Sequence, residues 1–274
     1  MTLPHPTPEK ALAVARPLTE EVGRVLLARF VAGERTARQK ADTTLVTEAD
    51  READRRLVEG LRAAFPGLPV LSEEGATRWP AAAPAGWVVD PLDGTTNFAV
   101  GWPIWGVSVA YVVEGWPVAG VLHYPTLGLT VTATRGGAWM GKRRITVQRT
   151  TQPGGGALVA LCSRTARRVR VLPPWKARIS GCATYDFLSV AAGQTVAALH
   201  ASPKVWDLAA VWLIVREAGG LWRPWGEARA GEPFPLHPGE DYASRAFPLL
   251  AAASEEALAR LGRQLAPWAG EALV

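Results

Sequence analysis

Apolar positions recur at helical spacing from the beginning of the chain. Leu12, Val14, Leu18, Val22, Val25, Leu26 and Phe30 lie near a 3.6-residue period, which predicts a helix over 9–33 that stops at Gly33. Residues 34–46 are polar and then extended. Thr47 is a good N-cap with Asp50 at the third helical position, so a second helix should run to about Phe65. Ala53, Leu57, Leu61 and Ala64 form its apolar side, and Pro66-Gly67 ends it. From there the pattern shortens to strand-length apolar runs at 68–71, 87–89, 104–113, 116–122, 129–134, 138–140 and 145–147. Glu114-Gly115 and Arg135-Gly136-Gly137 are the hairpin turns between them. Gln152 and the proline and glycines that follow, 152–156, read as a linker. Beyond it the pattern predicts a strand at 157–162, a helix at 185–193 and a strand at 195–199. A helix at 207–218 should start at Asp207 and end on Gly219-Gly220, and a last helix should cover 254–265.

The segment 87–98 carries the chemistry. Trp87-Val88-Val89 reads as a buried strand with Asp90 at its end, and Pro91, which has no N–H, should stop the pairing. Asp93 follows in a tight turn, Gly94 lets the backbone approach a ligand, and Thr95 and Thr96 offer hydroxyls and N–H groups at a helix or turn start. Two carboxylates on one turn call for a hard divalent cation such as Mg²⁺. Free N–H groups at a helix start call for an anion. A metal-bound phosphate satisfies both. The bare Asp-x-x-Asp spacing is common in ordinary turns; the full string from Asp90 to Asn97 is far more specific.

Composition narrows the class. The 274 residues suffice for one large or two modest domains, and 48% hydrophobic with 20% charged residues is globular. A formal charge of +5 helps attract an anionic substrate but makes no case for nucleic acid. The basic residues are five lysines and 25 arginines, and Asn97 is the only asparagine, a bias that fits a thermophile or a GC-rich genome. Cys162 and Cys182 lack metal-ligand spacing and read as two buried thiols. No signal-peptide pattern and no membrane-length apolar run is present, so no membrane partner and a cytoplasmic location are the expectations.

Three further strings accompany the central turn. Leu71-Ser72-Glu73-Glu74-Gly75 precedes it, Trp206-Asp207-Leu208-Ala209-Ala210 follows it, and Lys40-Ala41-Asp42 with Val46-Thr47-Glu48-Ala49-Asp50 comes first. Separately they are a solvated acidic pair, a helix-starting aspartate and a capping box. Together with Asp90-Pro91-Leu92-Asp93-Gly94-Thr95-Thr96-Asn97, in this order, they resemble the motifs of the inositol monophosphatase family, lithium-sensitive Mg²⁺-dependent sugar phosphatases. The resemblance runs from about residue 9 to 220.

That resemblance implies an α/β (α+β) fold, a layered αβαβα sandwich. An N-terminal α+β part, 1–150, would carry most metal ligands, and a C-terminal α/β part, 151–274, would carry Asp207 and the substrate-lining residues. It implies two to three Mg²⁺ ions. Asp90 would bridge two of them, with Glu73 and the Leu92 carbonyl completing one site and Asp93 and Asp207 the other. A weaker third ion would lie near Glu73 and Glu74. Thr95, Asp50 and Glu74 form the catalytic set: Thr95 would orient the attacking water, and Asp50 would accept the threonine proton. The N–H groups of Gly94, Thr95 and Thr96 would hold phosphate oxygens. Gly181, Cys182, Ala183 and His200 would line the substrate. A small phosphorylated metabolite and a second copy of the chain, in a homodimer, are the implied partners.

Some positions depart from the family pattern. His200 stands where a glutamate is common, Val211 replaces a glycine, and Cys182 takes a polar position. Arg164, Arg167, Arg168 and Arg170 form a run that is either solvated surface or a site for a second phosphate. The sequence therefore points to a phosphomonoesterase on a small polyol or sugar phosphate. Fructose-1,6-bisphosphatase, 3′-phosphonucleotidase and histidinol phosphatase are the alternatives, and a catalytically silent binding protein is a further one.

Overall fold

A computed structural model describes residues 5–39, 45–148, 157–225 and 234–267. The linker expected at 152–156 and the Lys40–Asp42 string lie outside the described residues.

Helix α1 (Pro8–Ala32) is capped by the Thr7 side chain and stops at Gly33, whose φ of 78° is left-handed. Strands β1 (Ala37–Gln39) and β2 (Leu45–Thr47) form an antiparallel ribbon leading into α2 (Glu48–Ala64). Thr47 and Asp50 make the predicted capping box at the start of α2.

A seven-stranded sheet follows in sequence order: β3 (Val70–Ser72), β4 (Ala85–Asp93), β5 (Gly106–Val113), β6 (Trp116–Tyr124), β7 (Leu129–Thr134), β8 (Gly137–Met140) and β9 (Arg143–Ile145). β3 is parallel to β4, and the later pairs are antiparallel. The short helix α3 (Thr95–Val100) leaves the end of β4.

The rest of the chain contains β10 (Leu158–Leu161), α4 (Ser163–Ala166), β11 (Val169–Val171), β12 (Lys176–Arg178), α5 (Ala183–Ala191), β13 (Ala197–His200), α6 (Val205–Glu217), β14 (Leu221–Pro224), β15 (Leu249–Ala252), α7 (Glu255–Gln264) and β16 (Leu265–Pro267). Five of these strands form a mixed sheet ordered β12-β10-β13-β15-β14, and β11 pairs with β16.

Side-chain alternation assigns the layers. Trp87 and Val89 of β4 pack with α1 and α2 through Ala15, Leu26, Leu57 and Leu61. Val88, between them, joins the opposite core with Phe187 of α5 and Val211 of α6. That core also takes Ala160, Ala198 and Ala251 from the second sheet. The far face of the second sheet, with Val159, Leu199 and Leu250, packs on Ala257 and Leu261 of α7. The order is helix, sheet, helix, sheet, helix, the αβαβα sandwich anticipated above. No helix among the described residues is long and apolar enough to cross a membrane.

Three local expectations need correction. Pairing does not end at Pro91: Asp90 sits opposite Ser108, and Asp93 opposite Gly106, so β4 resumes after a bulge. Pro91 removes one donor, and the bulge absorbs the gap. Asp207 does not begin α6; Lys204 is the N-cap, and Asp207 is the third helical residue, its carboxylate taking the Lys204 N–H at 2.7 Å. Both cysteines are free, but only Cys182 is buried; Cys162 is partly exposed.

Candidate active site

The bulge in β4 sets the site. Ser108 and Gly106 are two residues apart on β5 and face the same side, so the bulge brings Asp93 to the side of Asp90. That is the side covered by α5 and α6. Asp207, on the first turn of α6, completes a trio with Asp90 and Asp93, whose ligand oxygens all lie within 4.8 Å of one another. Glu73, just after β3, lines the same cleft of about 340 Å³, as do Leu92, Gly94, Thr95 and Thr96. Glu74 lines neither this cleft nor its neighbour.

The electrostatics of the trio are unfavourable as it stands. Asp90 is 1% exposed; its Oδ1 accepts the Leu92 N–H at 3.0 Å, and its buried Oδ2 has no hydrogen-bond partner. Burial, followed by the charges of Glu73 and Asp93, pushes the Asp90 carboxyl well above the ordinary range. Asp207 is pushed up in the same way, by burial first and then by Asp93 and Glu73, against the Lys204 N–H. Buried like charges with an orphaned oxygen are costly unless a cation joins them. The donors are all oxygen, which suits Mg²⁺ rather than a softer metal.

Asp93 is the best-satisfied member. Its Oδ1 accepts the Ala183 N–H at 3.1 Å. Its Oδ2 accepts the Thr184 N–H and hydroxyl, both at 2.6 Å, and the Cys182 thiol at 3.0 Å. Asp93 thus caps α5, whose own N-cap residue, Cys182, makes no side-chain cap bond. Behind Thr184 the buried Tyr124 hydroxyl donates to Thr184 Oγ1 at 2.9 Å. Burial and then the charge of Asp93 push the Cys182 thiol well up, so it stays protonated as a donor.

On the other side of the turn, Gly94 has φ 90°, and a Cβ there would lie 3.0 Å from the Ile104 carbonyl oxygen, so only glycine fits. Thr95 Oγ1 lies 3.0 Å from Asp50 Oδ1 and 3.1 Å from the Leu92 carbonyl oxygen. Asp50 Oδ2 takes the Thr47 N–H at 2.8 Å and the Thr47 hydroxyl. Burial raises Asp50, and the hydrogen bonds from Thr47 and Thr95 oppose it. The first N–H groups of α3 have no intrahelical acceptor.

A second cleft of about 250 Å³ adjoins the first and shares Asp93, Arg164, Gly181 and Asp207 with it. Cys182, Ala183 and His200, expected along the substrate, line it. Of the arginine run only Arg164 lines either cleft; Arg167, Arg168 and Arg170 are exposed elsewhere.

Sequence reasoning missed the parts played by Asp186 and Asn97. Asp186 of α5 holds His200 Nε2 at 3.0 Å, both groups being buried. Asn97 ties the turn to the substrate loop, donating to the Ile104 carbonyl at 2.6 Å and the Ser180 carbonyl at 2.8 Å. Gly181 has φ 79°, and a Cβ there would meet Asn97 Oδ1 at 2.7 Å. The available signals were an aspartate inside an apolar helix and a sole asparagine inside the motif.

Comparison with known proteins places the whole chain in a family context. The model of the inositol monophosphatase family matches residues 7–262. The chain is 31% identical over 217 residues to the fructose-1,6-bisphosphatase/inositol-1-monophosphatase of Thermotoga maritima, covering 74% of this chain and 80% of that protein. It is 33% identical over 226 residues to the histidinol-phosphatase of Chlorobaculum parvum, covering 78% and 85%. The crystal structure of the extragenic suppressor protein SuhB from Bartonella henselae matches with a TM-score of 0.75 at 27% identity, over 93% of this chain and 97% of that one.

Proposed function

The chain belongs to the inositol monophosphatase family, and from that premise we propose that it hydrolyses a small polyol or sugar phosphate with Mg²⁺ as cofactor. It is a phosphoric monoester hydrolase, as its family and relatives are. The observation that carries the Mg²⁺ reading is the buried Asp90 Oδ2, partnerless among Asp93, Asp207 and Glu73.

In this reading Asp90, Asp93 and Asp207, with Glu73 and the Leu92 carbonyl, hold two to three Mg²⁺ ions. Bound there, the metal supplies Lewis acidity toward water and the phosphoryl oxygens. The protein supplies position and proton traffic. Thr95 orients the attacking water through its hydroxyl oxygen and releases its own proton toward Asp50, 3.0 Å away. The Thr47 capping box keeps Asp50 aimed at Thr95. The N–H groups of Gly94, Thr95 and Thr96 face phosphoryl oxygens as charge builds on them. Gly181, Ala183 and His200 face the leaving group in the adjoining cleft. Lithium competing for the carboxylates would inhibit.

A homodimer completes the proposal. Val100 and Trp102 end the α3 segment, and they, Leu127 and Ile179 are exposed apolar side chains on neighbouring loops joined through the Thr126–Pro103 and Asn97–Ser180 hydrogen bonds. An apolar face of this kind suits a second copy. Trp102→Glu should shift the mass by light scattering from dimer to monomer; a wild-type monomer would remove the dimer.

Phosphate release decides the main reading. Inositol 1-phosphate, fructose 1,6-bisphosphate, adenosine 3′,5′-bisphosphate and histidinol phosphate would each be tested with Mg²⁺, with chelator, and with Mg²⁺ plus lithium. Mg²⁺-dependent, lithium-inhibited release supports it, and no release from any member rejects it.

A further inference from the structure

The phosphate cleft and the adjoining cleft meet at Arg164. Among the described residues it is the only lysine or arginine lining either of them, and it lines both. Its Nη1 donates to Ser202 Oγ at 2.7 Å, which holds the guanidinium at the boundary. Among the described residues it has no ion-pair partner. A guanidinium has five N–H donors, so most remain open to a ligand.

The acids that line the second cleft each have a partner of their own, while Glu73 and Asp90 line only the first and belong to its acidic cluster. Asp93 accepts four bonds from the start of α5, Asp186 is paired with His200, and Asp207 takes the Lys204 N–H. The second cleft therefore has a single uncommitted cation at its mouth and a self-satisfied His200–Asp186 pair in its wall. Gly94, Thr95 and Thr96, which line only the first cleft, serve the scissile phosphate in the reading above. The guanidinium fork fits an oxyanion in two-point contact.

We propose that Arg164 anchors a second oxyanion, a phosphate or a carboxylate, carried by the leaving group, so that the preferred substrate is a small phosphomonoester with two anionic groups. This rests on the phosphatase reading above. Arg167, Arg168 and Arg170 take no part.

The test compares kcat/KM at saturating Mg²⁺ on inositol 1-phosphate, 2-phosphoglycerate and fructose 1,6-bisphosphate, using wild type, Arg164→Ala, Arg164→Lys and Arg167→Ala. Wild type should prefer at least one of the two bis-anionic substrates, and which one identifies the oxyanion as carboxylate or phosphate. Arg164→Ala should lower kcat/KM on that substrate, mainly through KM, by at least about tenfold more than on inositol 1-phosphate. Arg164→Lys should recover part of the difference by keeping the charge without the fork, and Arg167→Ala should behave as wild type. An equal loss on all three substrates would place Arg164 on the scissile phosphate and overturn the proposal. So would a wild type with no bis-anionic preference. Release from none of the three would also overturn the proposal; only if adenosine 3′,5′-bisphosphate and histidinol phosphate gave none either would the phosphatase reading beneath it fall.

Discussion

Asp90 is held in a position that helps binding and harms the metal-free fold. Its Oδ2 is buried without a donor, and Glu73 and Asp93 repel its charge. An asparagine has the same shape and no charge. Asp90→Asn should therefore stabilise the protein in chelator by about 1–3 kcal/mol, the scale of an unsatisfied buried group. It should at the same time abolish Mg²⁺-dependent turnover. Urea melts in chelator and phosphate release in Mg²⁺ are the two measurements; a less stable variant would mean that Asp90 stores no strain, and an active one that it is not a ligand. Residues of this kind were legible in the sequence because they sit within one short string. Thr184, Asp186 and Tyr124 were not. They act on Asp93 and His200 across tertiary contacts, and nothing in their local sequence names those partners.

At the scale of elements, the same carboxylate that faces the cleft also caps a helix. Asp93 takes over the N-terminus of α5 because Cys182 makes no cap bond there. Asp93→Asn thus tests two functions at once, and Thr184 separates them. Thr184→Val removes the hydroxyl that donates to Asp93 while keeping the backbone N–H. It should cost about 1–2 kcal/mol and leave Asp93 less fixed, with kcat falling more than KM rises. Thr184→Ser keeps the hydroxyl and should restore most of both. If Thr184→Val lost stability alone, Thr184 would be a packing residue without influence on the site. The long helices α1 and α2 followed from helical periodicity, and β4 to β7 from apolar runs of strand length, β4 and β5 being buried on both faces. Strands β14 and β15 did not, because four residues such as Leu249–Ala252 are too short for the two periods to differ. The bulge in β4 was hidden too: Pro91 marks an interruption, but only the register with β5 shows the strand resuming.

For the whole molecule, the carboxylates link metal, protons and stability. The folded carboxyls of Asp90 and Asp207 lie above their ordinary values, so the folded protein binds protons more tightly there than the unfolded chain does. As pH rises from about 4, the ordinary carboxylate range, through the raised folded values, these protons leave and metal-free stability falls. A cation acts in the opposite direction. It binds the ionised carboxylates, and protons compete with it as pH drops. The difference in melting temperature between Mg²⁺ and chelator should therefore be small near pH 5 and widen toward pH 8. At a Mg²⁺ concentration about a hundred times its Kd the gain is about 2.7 kcal/mol, which for a chain of this size is roughly 5 °C. Asp90→Asn should flatten the dependence, because it removes both the repulsion and a ligand. Thermal melts across this pH range, with and without metal, check the linkage. A difference independent of pH, or one retained in Asp90→Asn, would mean that Mg²⁺ stabilises the fold from some other position.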